Sequence, residues 1–348
     1  MNCYTVDGKG LSGLQVTDVP APQPPKRGEV LIDVHAVSLN YRDIMVADGR
    51  YGGEQSPPII ACSDMAGVVR QVGSDVSGLK VGDRVLNSPF RCWPAGKINS
   101  EWVKTFVGGN GVDGVLAEQL VYPSSALALL PKHFSFFEGA TLTIAGLTAW
   151  AAVVTHGKTN PGDWVLVHGT GGVSMFALQI ARMLGARTIL SSSNAAKAEL
   201  LKAELDVSVV IDYRNQNWPQ EVLEVTGGHG VDVVVEVAGG HSLGKSIQSS
   251  AYGGRVSLVG VLDGVKSTIN LRDIFTRQVT VKGILMESME ELRAVVRAYD
   301  VTKVRPYISH VFSFDQTKQA YEYLEECKHI GKVVIGLKDT GETNVAWK

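Results

Sequence analysis

The sequence predicts an α/β protein: a β-rich first part, then a doubly wound parallel sheet. Three observations predict it. From residue 136 onward, helix-like and strand-like stretches alternate, the order that parallel sheets require. A glycine loop, Gly169-Thr170-Gly171-Gly172-Val173-Ser174, falls between one such strand and the next helix. Residues 231–237 (VDVVVEV) are valine-rich throughout, as strands buried on both faces are.

Taken in order, residues 29–37 (EVLIDVHAV) and 66–72 (AGVVRQV) read as strands, and 78–85 (GLKVGDRV) as a turn and a strand. Glycine and proline punctuate them. After Leu130-Pro131 the texture changes. Residues 136–154 (FFEGATLTIAGLTAWAAVV) are apolar, alanine-rich and long enough for one helix. Then come a strand at 164–168, a helix at 173–184 with apolar residues three and four apart, a strand at 187–190, a helix at 195–205 and a strand at 209–212. Strands follow at 231–237, 255–261 and 279–285. The tail holds a helix at 289–299, an amphipathic helix at 315–326 and a closing strand at 332–337.

The 348 residues suffice for two domains. A net charge of −2 gives no electrostatic reason to expect nucleic acid or an anionic membrane as partner. Cys3, Cys62, Cys92 and Cys327 form no CxxC pair, which reads as reduced thiols. The start, MNCYTVDGKG, lacks a signal-peptide pattern, and no stretch approaches the roughly 20 apolar residues that span a bilayer. A soluble cytoplasmic protein is the expectation.

The loop 169–174 nearly fits G-x-G-x-x-G, with Ser174 in the third position. Glycines let the backbone approach a pyrophosphate, and the helix start presents unpaired N–H groups at its positive dipole end. A small residue at 174 keeps helix and strand close. A dinucleotide site is expected. An NAD site carries an acid about 20 residues on, at the end of the second strand. Here the strand runs into Ser191-Ser192-Ser193-Asn194-Ala-Ala-Lys197, with no carboxylate. Hydroxyls and a lysine suit a 2′-phosphate, so NADP(H) is expected. Ser193 or Asn194 is equally a helix cap, and Lys197 equally a solvated lysine. Tyr213-Arg214, past the third strand, is a candidate to close over the adenosine end.

Together these residues resemble the medium-chain dehydrogenase/reductase superfamily. The resemblance runs through LNYRD near 40, AGVVRQVGSDVSGLKVGDRV from 66, HGTGGVS and the closing GKVVIGL. It implies a GroES-like β domain from residues 1–127 and 287–348, a Rossmann NADP(H)-binding domain at 128–286, and an active site where the two meet. Many members hold a catalytic zinc through Cys, the His of Gly-His-Glu, and a further Cys or carboxylate. This chain has Asn40 at the first place, Cys62-Ser63-Asp64 at the second, and Ile144 at the third. Residues 86–115, which would hold a structural zinc, contain only Cys92. Zinc takes about four ligands, so no metal is expected, and Cys62 and Asp64 are expected to pack and hydrogen-bond.

The resemblance then points to the zinc-lacking quinone-reductase and enoyl-reductase branch, where Asn-x-x-Asp and Gly-x-Tyr recur, here Asn40, Asp43, Gly49 and Tyr51. It implies Tyr51 as hydrogen-bond donor to the reacting oxygen, Asn40 as an orienting residue and Asp43 as a clamp on the loop. A tyrosine packed in a glycine-rich turn is the other reading of Tyr51. Arg42 and Arg50 are expected to be solvated. By the same resemblance Thr148 approaches a phosphate, Ala238 and Gly239 pass the nicotinamide, and Gly260, Val261, Leu285 and Met286 line its ring; each is equally ordinary strand-end packing. His168 is read as a strand-end histidine satisfied by backbone. Phe90, Trp93, Trp102 and Phe106 in the loop 86–114 either cover an apolar or aromatic small-molecule substrate or pack the loop down. The function expected is NADPH-dependent reduction of an activated C=C bond or a quinone. A zinc-independent carbonyl or alcohol dehydrogenase, and a non-catalytic NADPH-binding protein, are the alternatives. The resemblance also implies a homodimer, paired through the strand at 279–285.

Overall fold

The computed structural model describes residues 1–338. The last ten residues of the expected 287–348 segment, 339–348, lie outside the described residues. The chain divides into two compact units: Met1–Leu147 with the residues from Glu287 on, and Thr148–Met286. Residues 128–147 fall with the first unit, because Phe136–Ala140 packs against the strands Glu29–Leu39 and Asp64–Val72.

The first unit is built on a seven-stranded sheet. Its path runs Ile308–Ser313, Lys332–Gly336, Glu29–Leu39, Asp64–Val72, Arg84–Asn87 and Leu127–Leu129, and Gln119–Pro123 also pairs with Glu29–Leu39. The Glu29–Leu39 strand alternates partly and fully buried residues over its first half and is fully buried at its end. A small sheet places Asn2–Val6 between Gln15–Asp18 and Ile59–Ile60.

The second unit is a six-stranded, all-parallel sheet. The order is Val209–Ile211, Arg187–Ser191, Trp164–His168, Val231–Glu236, Ser250–Leu258, Thr280–Gly283. The two strands that start its halves, Trp164–His168 and Val231–Glu236, are its centre. They are almost wholly buried, which their apolar sequences require. The chain reverses direction across the sheet at this pair, where open α/β sheets leave a crevice at the strand ends.

The single helix expected at 136–154 is a run of shorter pieces: Phe136–Ala140, a wide turn Leu142–Gly146, Leu147–Trp150 and a second wide turn Ala151–Thr155. Thr141 donates its hydroxyl back to Glu138 O at 2.6 Å, which competes with the regular ladder, and Gly146 loosens it further. No helix among the described residues is long and apolar enough to cross a membrane.

Candidate active site

In the first unit the stretch around Asn40 forms a helix, Tyr41–Ala47, with Asn40 in extended conformation as its cap. Asp43 Oδ2 accepts the Asn40 N–H at 2.7 Å, and the Asp43 N–H donates to Asn40 O at 2.9 Å. An acid in the first turn suits the helix dipole. Asp43 is buried, and burial raises its carboxyl pKa, with Arg42 opposing the rise.

Asn40 meets a residue that the sequence did not single out. Lys332 Nζ donates to Asn40 Oδ1 at 2.6 Å and to Leu39 O at 2.5 Å, with Asp64 Oδ2 4.0 Å away. A lysine only donates, so the Asn40 atom facing it must be the oxygen. Asp64 Oδ2 accepts the Ile144 N–H at 3.2 Å. Burial pushes Asp64 up to about 7, against the pull of Lys332, and pushes Lys332 down, against the pull of Asp64.

Arg42 is a correction. Its side chain is 11% exposed, not solvated. Its guanidinium carbon lies 3.9 Å from the Phe106 ring centroid and 4.8 Å from that of Tyr51, and Nη1 donates to Ser63 Oγ at 2.6 Å. The planar guanidinium stacks on rings that a lysine would not cover as well. Arg50 is exposed and pairs with Asp48 at 2.7 Å. The Tyr51 ring meets Phe106 edge-on at 6.5 Å. Its hydroxyl makes no hydrogen bond among the described residues. The ring is thus packed while the donor stays available.

The three places where zinc members carry ligands do not fit zinc here. Asn40 Oδ1 is taken by Lys332, Ser63 Oγ by Arg42, and Ile144 offers only a backbone N–H. Cys62 Sγ lies 3.2 Å from the Tyr321 hydroxyl. Zinc prefers sulfur, imidazole and carboxylate ligands, and no group of three such side chains is placed to hold a metal among the described residues. The partly buried Arg42 and the buried Lys332 already stand 3.9 and 4.0 Å from Asp43 and Asp64.

The aromatic residues of the loop 86–114 pack on one another. Phe90 stacks on Phe106 at 4.9 Å, Trp93 meets Phe90 at 5.2 Å, and Trp102 stacks on Trp93 at 6.5 Å. Three of the four are buried. This favours the packed-down reading of the loop.

In the second unit, Gly169 has φ +72°, and a Cβ there or at Gly171 would project into open space. The backbone at Gly169 and Gly171 is therefore open to a close approach, with Thr170, Gly172 and Val173 partly buried beside it. Gly171 caps the helix Gly172–Met183 without a side-chain hydrogen bond, and among the described residues no side chain claims its first N–H groups. Ser174 is buried and donates to His168 O at 2.7 Å, tying helix to strand. Thr148 is buried, and its Oγ1 has no partner among the described residues. A pyrophosphate fits this loop.

At the neighbouring strand ends, Asn194 does the capping: its Oδ1 accepts the Lys197 N–H at 3.0 Å. Ser193 is thereby left to bond the Tyr213 hydroxyl at 2.8 Å. Ser192 Oγ accepts the Asn194 N–H at 3.2 Å. The nearby carboxylate of Asp212 is gripped by Arg214, at 2.6 Å for the shortest contact. Ser192, Asn194 and the Lys197 backbone are thus linked, Ser193 is joined to Tyr213, and Asp212 is held by Arg214.

Ala238 and Gly239 form a turn against 260–264. Asp263 N–H donates to Ala238 O at 2.7 Å. Gly260, Val261 and Leu285 border one shallow groove of about 310 Å³, and Met286, with φ +51°, is buried beside Leu285 in sequence. Glu236 was not among the residues that the sequence pointed to, and His168 departs from its expected backbone partner. His168 is satisfied by side chains, not backbone: Nδ1 lies 2.6 Å from Ser191 Oγ and Nε2 2.9 Å from Ser246 Oγ. An acid inside VDVVVEV, followed by serines six and ten residues on, was the available signal.

Residues 26–132 match the family described as alcohol dehydrogenase GroES-like domain, and residues 172–300 that described as zinc-binding dehydrogenase. The chain is similar to a zinc-type alcohol dehydrogenase-like protein of Schizosaccharomyces pombe, 36% identical over 333 residues, covering 94% of this chain and 96% of that one. It is similar to a quinone oxidoreductase of Sus scrofa, 30% identical over 313 residues and 88% of each chain. A crystal structure of an NAD-dependent alcohol dehydrogenase superposes with a TM-score of 0.88 at 31% identity, covering 97% of this chain and 100% of that one.

Proposed function

Because the chain belongs to the medium-chain dehydrogenase/reductase superfamily, we propose that it is an NADPH-dependent reductase of activated C=C bonds, in an enone or enoyl group, or of quinones, working without a metal ion. The observation that carries this reading is the occupation of the zinc-ligand places by the partners of Lys332 and Arg42. With no Lewis acid, the charge that develops on the substrate oxygen needs a side-chain donor.

The bound nicotinamide supplies hydride. Tyr51 offers its hydroxyl to the substrate oxygen, a contribution of roughly 10²–10⁴-fold for a positioned donor. Asn40, held by Lys332, orients substrate or cofactor, and Asp43 holds the turn that carries Asn40. The loop from Gly169 to Ser174 receives the pyrophosphate, and Thr148 a phosphate oxygen. Ser192, Ser193, Lys197 and Tyr213 receive a 2′-phosphate, while Ala238, Gly239, Gly260, Val261, Leu285 and Met286 border the nicotinamide. The exposed edge strand Thr280–Gly283 is the surface for pairing a second copy.

A metal-free carbonyl or alcohol dehydrogenase is the second reading, favoured by the two alcohol-dehydrogenase-like relatives. The test is oxidation of NADPH and NADH with an enone, a quinone and an aldehyde, before and after chelation, with metal analysis of the protein. Enone or quinone turnover with NADPH, unchanged by chelator, supports the proposal. Turnover confined to aldehydes supports the second reading. Cofactor binding with no turnover means a non-catalytic binder, and stoichiometric zinc or a preference for NADH overturns the proposal.

A further inference from the structure

At the end of the central strand Val231–Glu236 lies a wholly buried acid. Glu236 Oε1 accepts the Ala238 and Gly239 N–H groups at 2.8 and 3.1 Å. Its Oε2 accepts the Ser242 and Ser246 hydroxyls at 2.9 and 2.5 Å. Its backbone oxygen accepts the Val259 and Gly260 N–H groups at 2.8 and 3.2 Å. One residue thus fixes both turns assigned above to the nicotinamide end. From Oε2 the chain of contacts continues through Ser246 and His168 to Ser191, beneath the glycine loop and out to the adenosine end. Enlarging Gly239 is strained, because a Cβ there would sit 3.0 Å from Gly264 O and 3.1 Å from Gly260 O, at a φ of +66°.

The charge of this network is unbalanced. No lysine or arginine pairs with Glu236 among the described residues, and the one titratable neighbour is His168, at 3.5 Å. Burial holds the His168 pKa down, against the pull of Glu236, and so favours the neutral ring. A buried charge without a cation is costly unless hydrogen bonds and an external partner offset it. The nicotinamide ring is that kind of partner in one of its two states: it is cationic when oxidised and neutral when reduced.

Resting on the cofactor site proposed above, we infer that Glu236 is a positioning residue for the nicotinamide turns whose buried negative charge favours binding of the oxidised coenzyme over the reduced one. A unit charge at a separation on the order of 10 Å, at an effective dielectric near 20, shifts that ratio by roughly ten-fold. A purely structural role would shift both forms alike.

The test is equilibrium binding of NADP⁺ and NADPH to the full chain, wild type against Glu236→Gln. Glu236→Met serves if the amide variant does not fold, and Glu236→Asp is the charge-keeping control. The expected result is a loss of NADP⁺ affinity several-fold greater than the loss of NADPH affinity in the neutral variants, and an unchanged ratio in Glu236→Asp. Equal losses, or a greater loss for NADPH, overturn the inference alone. A wild-type chain that binds neither form overturns the cofactor reading, and this inference with it.

Discussion

Lys332 Nζ stands 2.6 Å from Asn40 Oδ1, joining the strand Lys332–Gly336 to the cap of the first α-helix, Tyr41–Ala47, 292 residues apart in the chain. Both charge and geometry meet at this contact. The ammonium sets the orientation of the Asn40 amide and offsets Asp64, and neither job passes to an uncharged residue.

Lys332→Met is therefore expected to destabilise the first unit by about 3–5 kcal/mol, since it leaves the Asp64 carboxylate and the Asn40 oxygen buried without their cation. Urea unfolding at pH 8 measures this. The loss should shrink at pH 5, where Asp64 holds its proton; an equal loss at both pH values would mean that packing, not charge, is at stake.

Asp64 gives a pH dependence of its own. In the fold it keeps a proton to about pH 7, because burial outweighs Lys332. Unfolded, it releases that proton near the ordinary value of about 3.9. Between the two, the folded chain binds more protons, so this contribution to stability is complete below about pH 4 and is lost as pH rises through about 7. Relative to Asp64→Asn, which does not titrate, the wild-type urea midpoint should fall across that window. Parallel curves for the two proteins would contradict it.

Tyr51→Phe keeps the ring against Arg42 and Phe106 and removes only the hydroxyl. Turnover of an enone or quinone should fall by roughly 10²-fold or more, while the Kd for NADPH stays within about two-fold. Steady-state rates with a binding titration check both halves. An unchanged rate would leave Tyr51 as a packed residue and nothing more.

Ser192→Asp places a carboxylate where the 2′-phosphate is proposed to lie. Affinity for NADPH should drop about ten-fold or more, and affinity for NADH should rise, because ribose hydroxyls donate to an acid and a phosphate is repelled by it. Fluorescence titration with both coenzymes reads the switch. A wild type that already prefers NADH would sink the premise.

Much of the second unit was legible because each of its strands states its own environment. WVLVH and VDVVVEV are valine-rich since both faces are covered, and the helix Ala195–Leu205 begins where Asn194 caps it and runs to the last leucine of its repeat. The first unit hid more. Tyr41–Ala47 is a helix of seven residues whose start depends on a side chain and a backbone N–H meeting, which spacing alone does not announce. Lys332 and Arg42 look in sequence like any surface cations. Their burial is decided by partners far away in the chain, Asn40 and Asp64 for one, Ser63 and Phe106 for the other. Glu236 was masked in the same way, as one acid in a run of valines.

The strand Glu29–Leu39 finds one of its neighbours only in Lys332–Gly336, where Val333 lies opposite Leu39 and Gly336 opposite Ala36. The entire six-stranded unit lies between them in the chain. During synthesis at about 5–20 residues per second, the later unit has all its strands before the earlier one does. The amino-terminal part must wait, with that edge of its sheet unpaired, until residues 332–336 have been made.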